Sequence, residues 1–436
     1  MGEESPVGRG FSVGEGLPVV QEHIGVLRVR LTRKAVRTAV MISAIMIFSL
    51  TLFSACKVNA SSAQTVPTVP GQGHDESPAP ASSWSSSLEG LQRDGVTEPI
   101  DRVFKDLLKD HEISWRQIVG NIMSGKGIDF LGILKSLATG ATREFLASGS
   151  LFGKIMLIGV SVACLEILSE TISPSGSNRI AIWACHISLV TLAMWSFNDV
   201  LRIAKDATEA IRTAFFSFIP ALTTLSVVSA APVTASILHP LVFGVGTAVC
   251  IIVLDAAFPV IYTSIALDLA GNLGGGERVS GVAGMLRQLA FLVVGISMAC
   301  FVGIVMGQRA ATGLADGMAY RTAKYVSSTF IPVAGKAIGD TMDMFFVSAY
   351  GLRSAMGLAG AVAVVSVVFT PLLRVLGCLF MWKVSAAILG PIAGQQVSRS
   401  LRSMADGITA VSITLFVTCF VFTICLSLVA QATKPF

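Results

Sequence analysis

Lys336, Asp340 and Asp343 stand at i, i+4 and i+7 in the stretch RTAKYVSSTFIPVAGKAIGDTMD, residues 321–343. On a helix this spacing puts one cation and two carboxylates on a single face. Such a face can line an aqueous path, carry a proton or bind a cation. Equally, it can be the wet side of an interfacial amphipathic helix, with Lys336 paired to Asp340. At a bilayer centre each charge costs roughly 2.5–3.5 kcal/mol, so three facing lipid would cost roughly 8–10 kcal/mol. They must therefore face protein, water or headgroups. Pro332 is a candidate helix break just before them, and Pro220 in the earlier FIP string is a second. Asp255 is a candidate intramembrane acid, with Asp268 as its possible companion in a proton or cation site; pairing within a helix bundle is the competing reading.

The elements that must position these residues follow from composition. The 436-residue chain is 53% apolar and only 14% charged, with a mean hydropathy of +0.72. Soluble domains carry about 25% charged residues. A chain this apolar needs lipid as its solvent, and helices are the simplest way to satisfy backbone polar groups there. The fold class is all-α: a polytopic helical membrane protein. The net charge of +5 is modest, and no basic cluster with interleaved aromatics points to nucleic acid.

Enzyme chemistry has no foothold. No HExxH occurs, and neither a GxSxG nor a GxGD element lies within the expected spans. GNLGGGER at 271–278 lacks the GK[ST] ending of a phosphate loop and reads as an interhelical turn. Seven of the eight cysteines lie in apolar runs, with no CxxC or Cys/His cluster, so they read as small buried hydrophobes. No catalytic residue, cofactor or metal site is expected.

Along the chain, residues 1–60 form a leader and signal peptide. A basic cluster from Arg28 to Arg37 precedes the apolar run 38–56. Processing after Ala60, lipoprotein-type processing at Cys56 and an uncleaved anchor all stay open. Residues 61–98, rich in Ser, Pro and Gly, read as a disordered linker. Residues 99–150 read as extracytoplasmic amphipathic helices, with Ile100, Val103, Phe104, Leu107 and Leu108 on one face. The multi-span domain is 151–436. Spans are expected at about 151–169, 180–197, 214–236, 241–263, 288–307, 355–373, 375–392 and 408–430, joined by charged loops at 198–212, 308–325 and 393–407. Basic residues place the last two loops in the cytoplasm.

An internal tandem repeat is expected over about 180–310 and 290–430. RTAFFSFIP at 212–220 echoes RTAKYVSSTFIP at 321–332, and Pro220 and Pro332 are 332 − 220 = 112 residues apart. Pro259 and Pro371 share that offset, 371 − 259 = 112. Duplicated halves are common in transporters but also occur in structural membrane proteins. Pairs such as Gly303/Gly307, Gly335/Gly339 and Gly390/Gly394 suggest close helix packing.

The string QRAATGLADGMAYRTAKYVSSTFIPVAGKAIGDTMD at 308–343, with GLAGAV at 357–362 and LGPIAG at 389–394, resembles the stage III sporulation protein AE family. The resemblance covers residues 150–436, and the first 150 in layout only. It implies a membrane component made in the mother cell during sporulation and placed in the outer forespore membrane. The implied partners are other stage III A-type membrane and ring-forming proteins, a secretion-type ATPase and, indirectly, a forespore membrane protein. The implied assembly is a channel or secretion-like complex that sustains the engulfed forespore and its late gene expression. The residues alone also allow an independent secondary transporter, or a scaffold with no conduit of its own.

If Lys336 and Asp340 pair, replacing either alone is expected to impair function more than replacing both with apolar residues, since a lone buried charge is worse than none. Equal damage from the singles and the double, measured as spore yield, would remove the pairing.

Overall fold

The computed structural model describes residues 149–171, 176–229, 231–274, 277–330, 334–392 and 394–431. The leader, the linker and the amphipathic segment lie outside the described residues. Every described element is helical: α1 (Gly149–Thr171), α2 (Gly176–Val228), α3 (Pro232–Ile251), a π-helical turn (Ile252–Ala257), α4 (Phe258–Gly274), α5 (Glu277–Phe330), α6 (Ala334–Leu389) and α7 (Gln395–Ala430). Five stretches are long and apolar enough to cross a membrane: Ile182–Val228, Pro232–Asn272, Val279–Val326, Ala349–Leu389 and Gln395–Ala430.

Helix boundaries differ from the sequence expectation. The charged segment 198–212 is not a loop but the middle of α2, and 308–325 lies wholly within α5. The expected spans 355–373 and 375–392 share one helix, α6, with Pro371 inside it. Most of 393–407 opens α7. The reason is local. Residues 198–212 contain neither Gly nor Pro, and their charges sit at helical spacing. Arg202 pairs with Asp199 at 2.8 Å and Arg212 with Glu209 at 3.3 Å, both i,i+3 pairs on an exposed face. A charge run need not interrupt a helix; it only decides where that helix meets water.

The lengths carry a physical consequence. α2, α5 and α6 have 53, 54 and 56 residues, or about 80 Å each at 1.5 Å per residue. A bilayer core is about 30 Å thick. More than half of each helix must therefore lie beyond one hydrocarbon layer, or run strongly tilted within it.

α6 packs most extensively on α7 and α2, while α5 packs on α4 and α3. At the centre, Phe215 of α2, Phe301 of α5 and Phe422 of α7 form a closed triangle of fully buried rings. Their centroids lie 6.2, 5.0 and 5.3 Å apart, with the Phe215 pairs edge-to-face. Hydroxyls in the bundle are absorbed by the helices themselves. Thr208, Ser226, Ser412, Thr414, Thr418 and Thr423 each donate to the carbonyl four residues back, which hides a polar group without needing water.

Among the described residues, close helix approach is carried by Gly357 and Gly360 rather than by Gly303 and Gly307. Gly303 and Gly307 face open space. Gly357 and Gly360 of α6 instead lie against Ala430 and Leu426 of α7, and a Cβ at 357 would stand 1.8 Å from the Ala430 Cβ. Gly357→Ala is therefore expected to destabilise the fold by about 1–3 kcal/mol, the range for overpacking. Gly303→Ala should stay within about 0.5 kcal/mol. Thermal unfolding of both variants in detergent checks this, and equal melting temperatures would contradict the packing argument.

Candidate functional site

The start of α3 sets a problem that α3 cannot solve. Its N-cap is Ala231, which has no side-chain acceptor, and Pro232 follows at the first helical position. Pro brings no N–H, which removes one orphan donor. The N–H groups of Val233 and Thr234 still need acceptors. Asp316, in the C-terminal third of α5 and only 4% exposed, supplies them. Its Oδ1 accepts from Val233 N at 2.9 Å and its Oδ2 from Thr234 N at 3.0 Å; the Thr234 hydroxyl donates to Oδ2 as well. A carboxylate there also meets the positive end of the helix dipole. This is N-capping from another helix.

The end of α7 is treated in the opposite sense. Arg353 of α6, 1% exposed, donates from Nη2 to the Val429 carbonyl at 2.8 Å, in the last turn of α7. A cation at a helix C-terminus meets the negative end of the dipole. The Asp316 carboxylate is near enough to act electrostatically on the Arg353 guanidinium. One layer of the bundle thus holds the start of α3, the end of α7 and two buried charges that serve them.

Because Asp316 and Arg353 share a layer, the chain between them forms a helical hairpin leaving it. Tyr320 and Phe346 meet edge-to-face across its two arms, with centroids 5.7 Å apart. Residues 317–330 continue α5 for about 21 Å past Asp316, and Arg321, Lys324 and Tyr325 on this arm are exposed. Lys336, Asp340 and Asp343 lie on the returning arm, in the helical backbone of α6. By helical rise they stand about 15–26 Å beyond Arg353. Their side chains lie outside the described residues, as does Pro332.

The other expected positions are spread out. Pro220 lies inside α2 on an exposed face; the helix continues through it, so no element ends there. Asp255 is exposed within the π-helical turn. Asp268, 7% exposed, does not join Asp255, which lies about 20 Å away along the axis. It pairs instead with Arg287 of α5 at 3.4 Å. Among the described residues, no group of three His, Cys, Asp or Glu side chains is placed to hold a metal ion.

The model of the family described as stage III sporulation protein AE matches residues 113–433. The chain belongs to this family. Stage III sporulation protein AE of Bacillus subtilis (strain 168) is 25% identical over 299 residues, covering 69% of this chain and 75% of the relative. No solved structure matches the chain. The family match spans every described helix, so the buried-charge layer and the hairpin both belong to the AE-type region of the chain.

Sequence reasoning passed over Asp316, which falls in the expected 308–325 loop, and it missed Arg353 and the Arg287 partner of Asp268. Two signals were there to be read. Ala-Ala-Pro at 230–232 begins a helix without a capping side chain, which demands an acceptor from elsewhere. Arg353 is a lone charge among GL and SAMGLAG, where only a buried polar partner would make it tolerable.

Asp316→Ala is expected to cost about 1–3 kcal/mol for each buried donor left unpaired, with Asp316→Asn losing less because its amide oxygen can still accept. Detergent-stage melting temperatures measure this. An Asp316→Ala protein as stable as the native one would refute capping by this residue.

Proposed function

We propose that this protein is the polytopic membrane component of a sporulation channel or secretion-like complex between mother cell and forespore. It would sustain the engulfed forespore and its late gene expression. The observation that carries the reading is the family match over 113–433, which covers the whole described helical domain. The five apolar stretches support a multi-pass membrane location, and the mother-cell membrane is the site the reading assigns. Other stage III A-type membrane proteins, ring-forming proteins, a secretion-type ATPase and a forespore membrane protein are its proposed partners. The protein itself performs no catalysis on this reading.

Two further features fit the proposal. The exposed cationic arm of the 317–352 hairpin leaves the buried-charge layer, as a docking element for a soluble or peripheral partner would. On this reading Lys336, Asp340 and Asp343 act in that hairpin, lining a path or pairing helices. The tandem repeat is supported by how the 112-residue offset lays α3 and α4 over α6, and most of α5 over α7. An independent transporter has one observation of its own, the π-helical turn that carries Asp255 inside an apolar stretch, a geometry often found at functional sites.

Clean deletion in the sporulating host separates the readings. The complex reading expects forespores that finish engulfment and then stall or collapse, with rescue only while partner proteins are present. Normal spores from the deletion strain would defeat it. Partner-independent uptake of a defined solute by the purified protein in liposomes would favour the transporter.

A further inference from the structure

Each of five helices carries a run without Asp, Glu, Lys or Arg. The runs are 213–228 of α2, 232–254 across α3 and the π-helical turn, 288–308 of α5, 354–373 of α6 and 407–430 of α7. Two of them are closed by arginine at both ends. Arg287 and Arg309 are 309 − 287 = 22 residues apart, and Arg353 and Arg374 are 374 − 353 = 21 apart. At 1.5 Å per residue either run is about 30 Å long, one hydrocarbon thickness.

Packing sets the five runs side by side. The rings of Phe215, Phe301 and Phe422 join those of α2, α5 and α7. Gly246 of α3 lies against Phe216 and Phe301, and Gly360 of α6 against Phe218 and Leu426. One edge of this shared slab is the layer of Asp316 and Arg353, which serves the start of α3 and the end of α7. The other edge is marked by exposed charge: Arg202, Lys205, Asp206 and Glu209 of α2, with Asp255 and Arg374. Arg374 stands one turn from Cys378, which with Trp382 meets Ser196 of α2.

The two sides of that charged edge are also held together differently. Within the slab the helices meet through rings and glycines. Beyond it they are tied by polar side chains: Trp382 donates to Ser196, Asn272 to Ser403 and Arg287 to Asp268. Partly exposed polar groups can complete their hydrogen bonds with water, which hydrocarbon does not offer.

We infer that the bilayer crosses this bundle at one level only, through those five runs. α1, α2 as far as Arg212, α4, the beginning of α5, the end of α6 and the start of α7 form a packed helical body outside it. About 54 Å of α2, from Gly176 to Arg212, lies beyond the hydrocarbon. The expected spans 151–169 and 180–197 do not cross. The rival placement puts the bilayer there. α2 has a second uncharged run, 180–198, and Leu157, Trp183, Ile187 and Trp195 are exposed. The neighbours at that level are charged, however. Lys154 sits over the Trp195 ring, and Leu389 of α6 packs on Gly159 of α1. Lys383, Arg399 and Arg402, all exposed, would then face hydrocarbon, where charge is costly. The inferred placement stands under either functional reading: a soluble partner meets a packed body with a charged α2 face, not short loops.

Two native cysteines decide between the placements. Cys164 of α1 and Cys300 of α5 are both exposed, so packing protects neither. Cys300 lies in the slab and Cys164 in the outer body. Opened membrane fragments holding the full chain are treated with a charged, membrane-impermeant maleimide, and the labelled peptides are read by mass spectrometry. Cys164 is expected to label at least about tenfold faster than Cys300, because the reactive thiolate forms in water. Glu209→Cys, at the charged edge, is expected to label like Cys164. Ile296→Cys, 57% exposed within the slab, is expected to stay protected like Cys300. Labelling of Cys300 with Cys164 protected would move the bilayer to α1 and overturn the placement. Equal labelling of the two, or protection of both, would overturn it as well. Should a variant fail to fold, the native pair decides.

Discussion

A backbone N–H or C=O inside a bilayer has no water to fall back on, and each helix leaves several of them unpaired at its ends. The architecture of this chain is organised around that constraint. α3 starts with a proline after an alanine, so its first free N–H groups turn to Asp316 on another helix. α7 ends with a carbonyl that turns to Arg353. Both charges are expensive to bury alone, and each is made tolerable by the helix end it serves. Four helices are pinned at one level as a result. The register of α5 and α6 against the rest follows from where these two residues stand.

Away from that level the bundle is held mainly by apolar contact. The Phe215–Phe301–Phe422 triangle joins α2, α5 and α7. Gly360 lets α6 approach both Phe218 and Leu426, and Gly407 lets α7 approach Ile265 of α4. Helix association in lipid depends on such close van der Waals contact, because burying apolar surface gains nothing relative to the lipid tails. The pair Asp268–Arg287 adds a second polar tie between α4 and α5. Trp382 donates to Ser196 at 3.2 Å, tying α6 to α2 through one buried indole.

The helical membrane class was legible from composition alone, and the family was legible from the 308–343 string. Helix ends were not. The sequence argument treated 198–212 and 308–325 as loops because charge in an apolar chain suggests water. Charge says nothing about whether the backbone stops being helical, and neither segment holds a proline. Pro220 misled in the other direction. A proline removes one bond but need not end a helix whose two halves are both packed, as Phe215, Phe218 and Leu222 are. The buried charges were hidden for a different reason. Asp316 reaches a partner 82 residues away, and Arg353 one 76 residues away. Local periodicity carries no trace of such a contact.

Those two sequence separations point in opposite directions, and this bears on how the protein is made. Asp316 looks back to residues already synthesised when α5 emerges. Arg353 looks forward to Val429, 76 residues later. At roughly 5–20 residues per second, its partner arrives about 4–15 s after it does. During that interval a guanidinium destined for the interior must be held at an interface, by water or by the insertion machinery. The capping of α3 is complete once α5 has been made, whereas the Arg353 guanidinium on α6 waits until the final helix is in place.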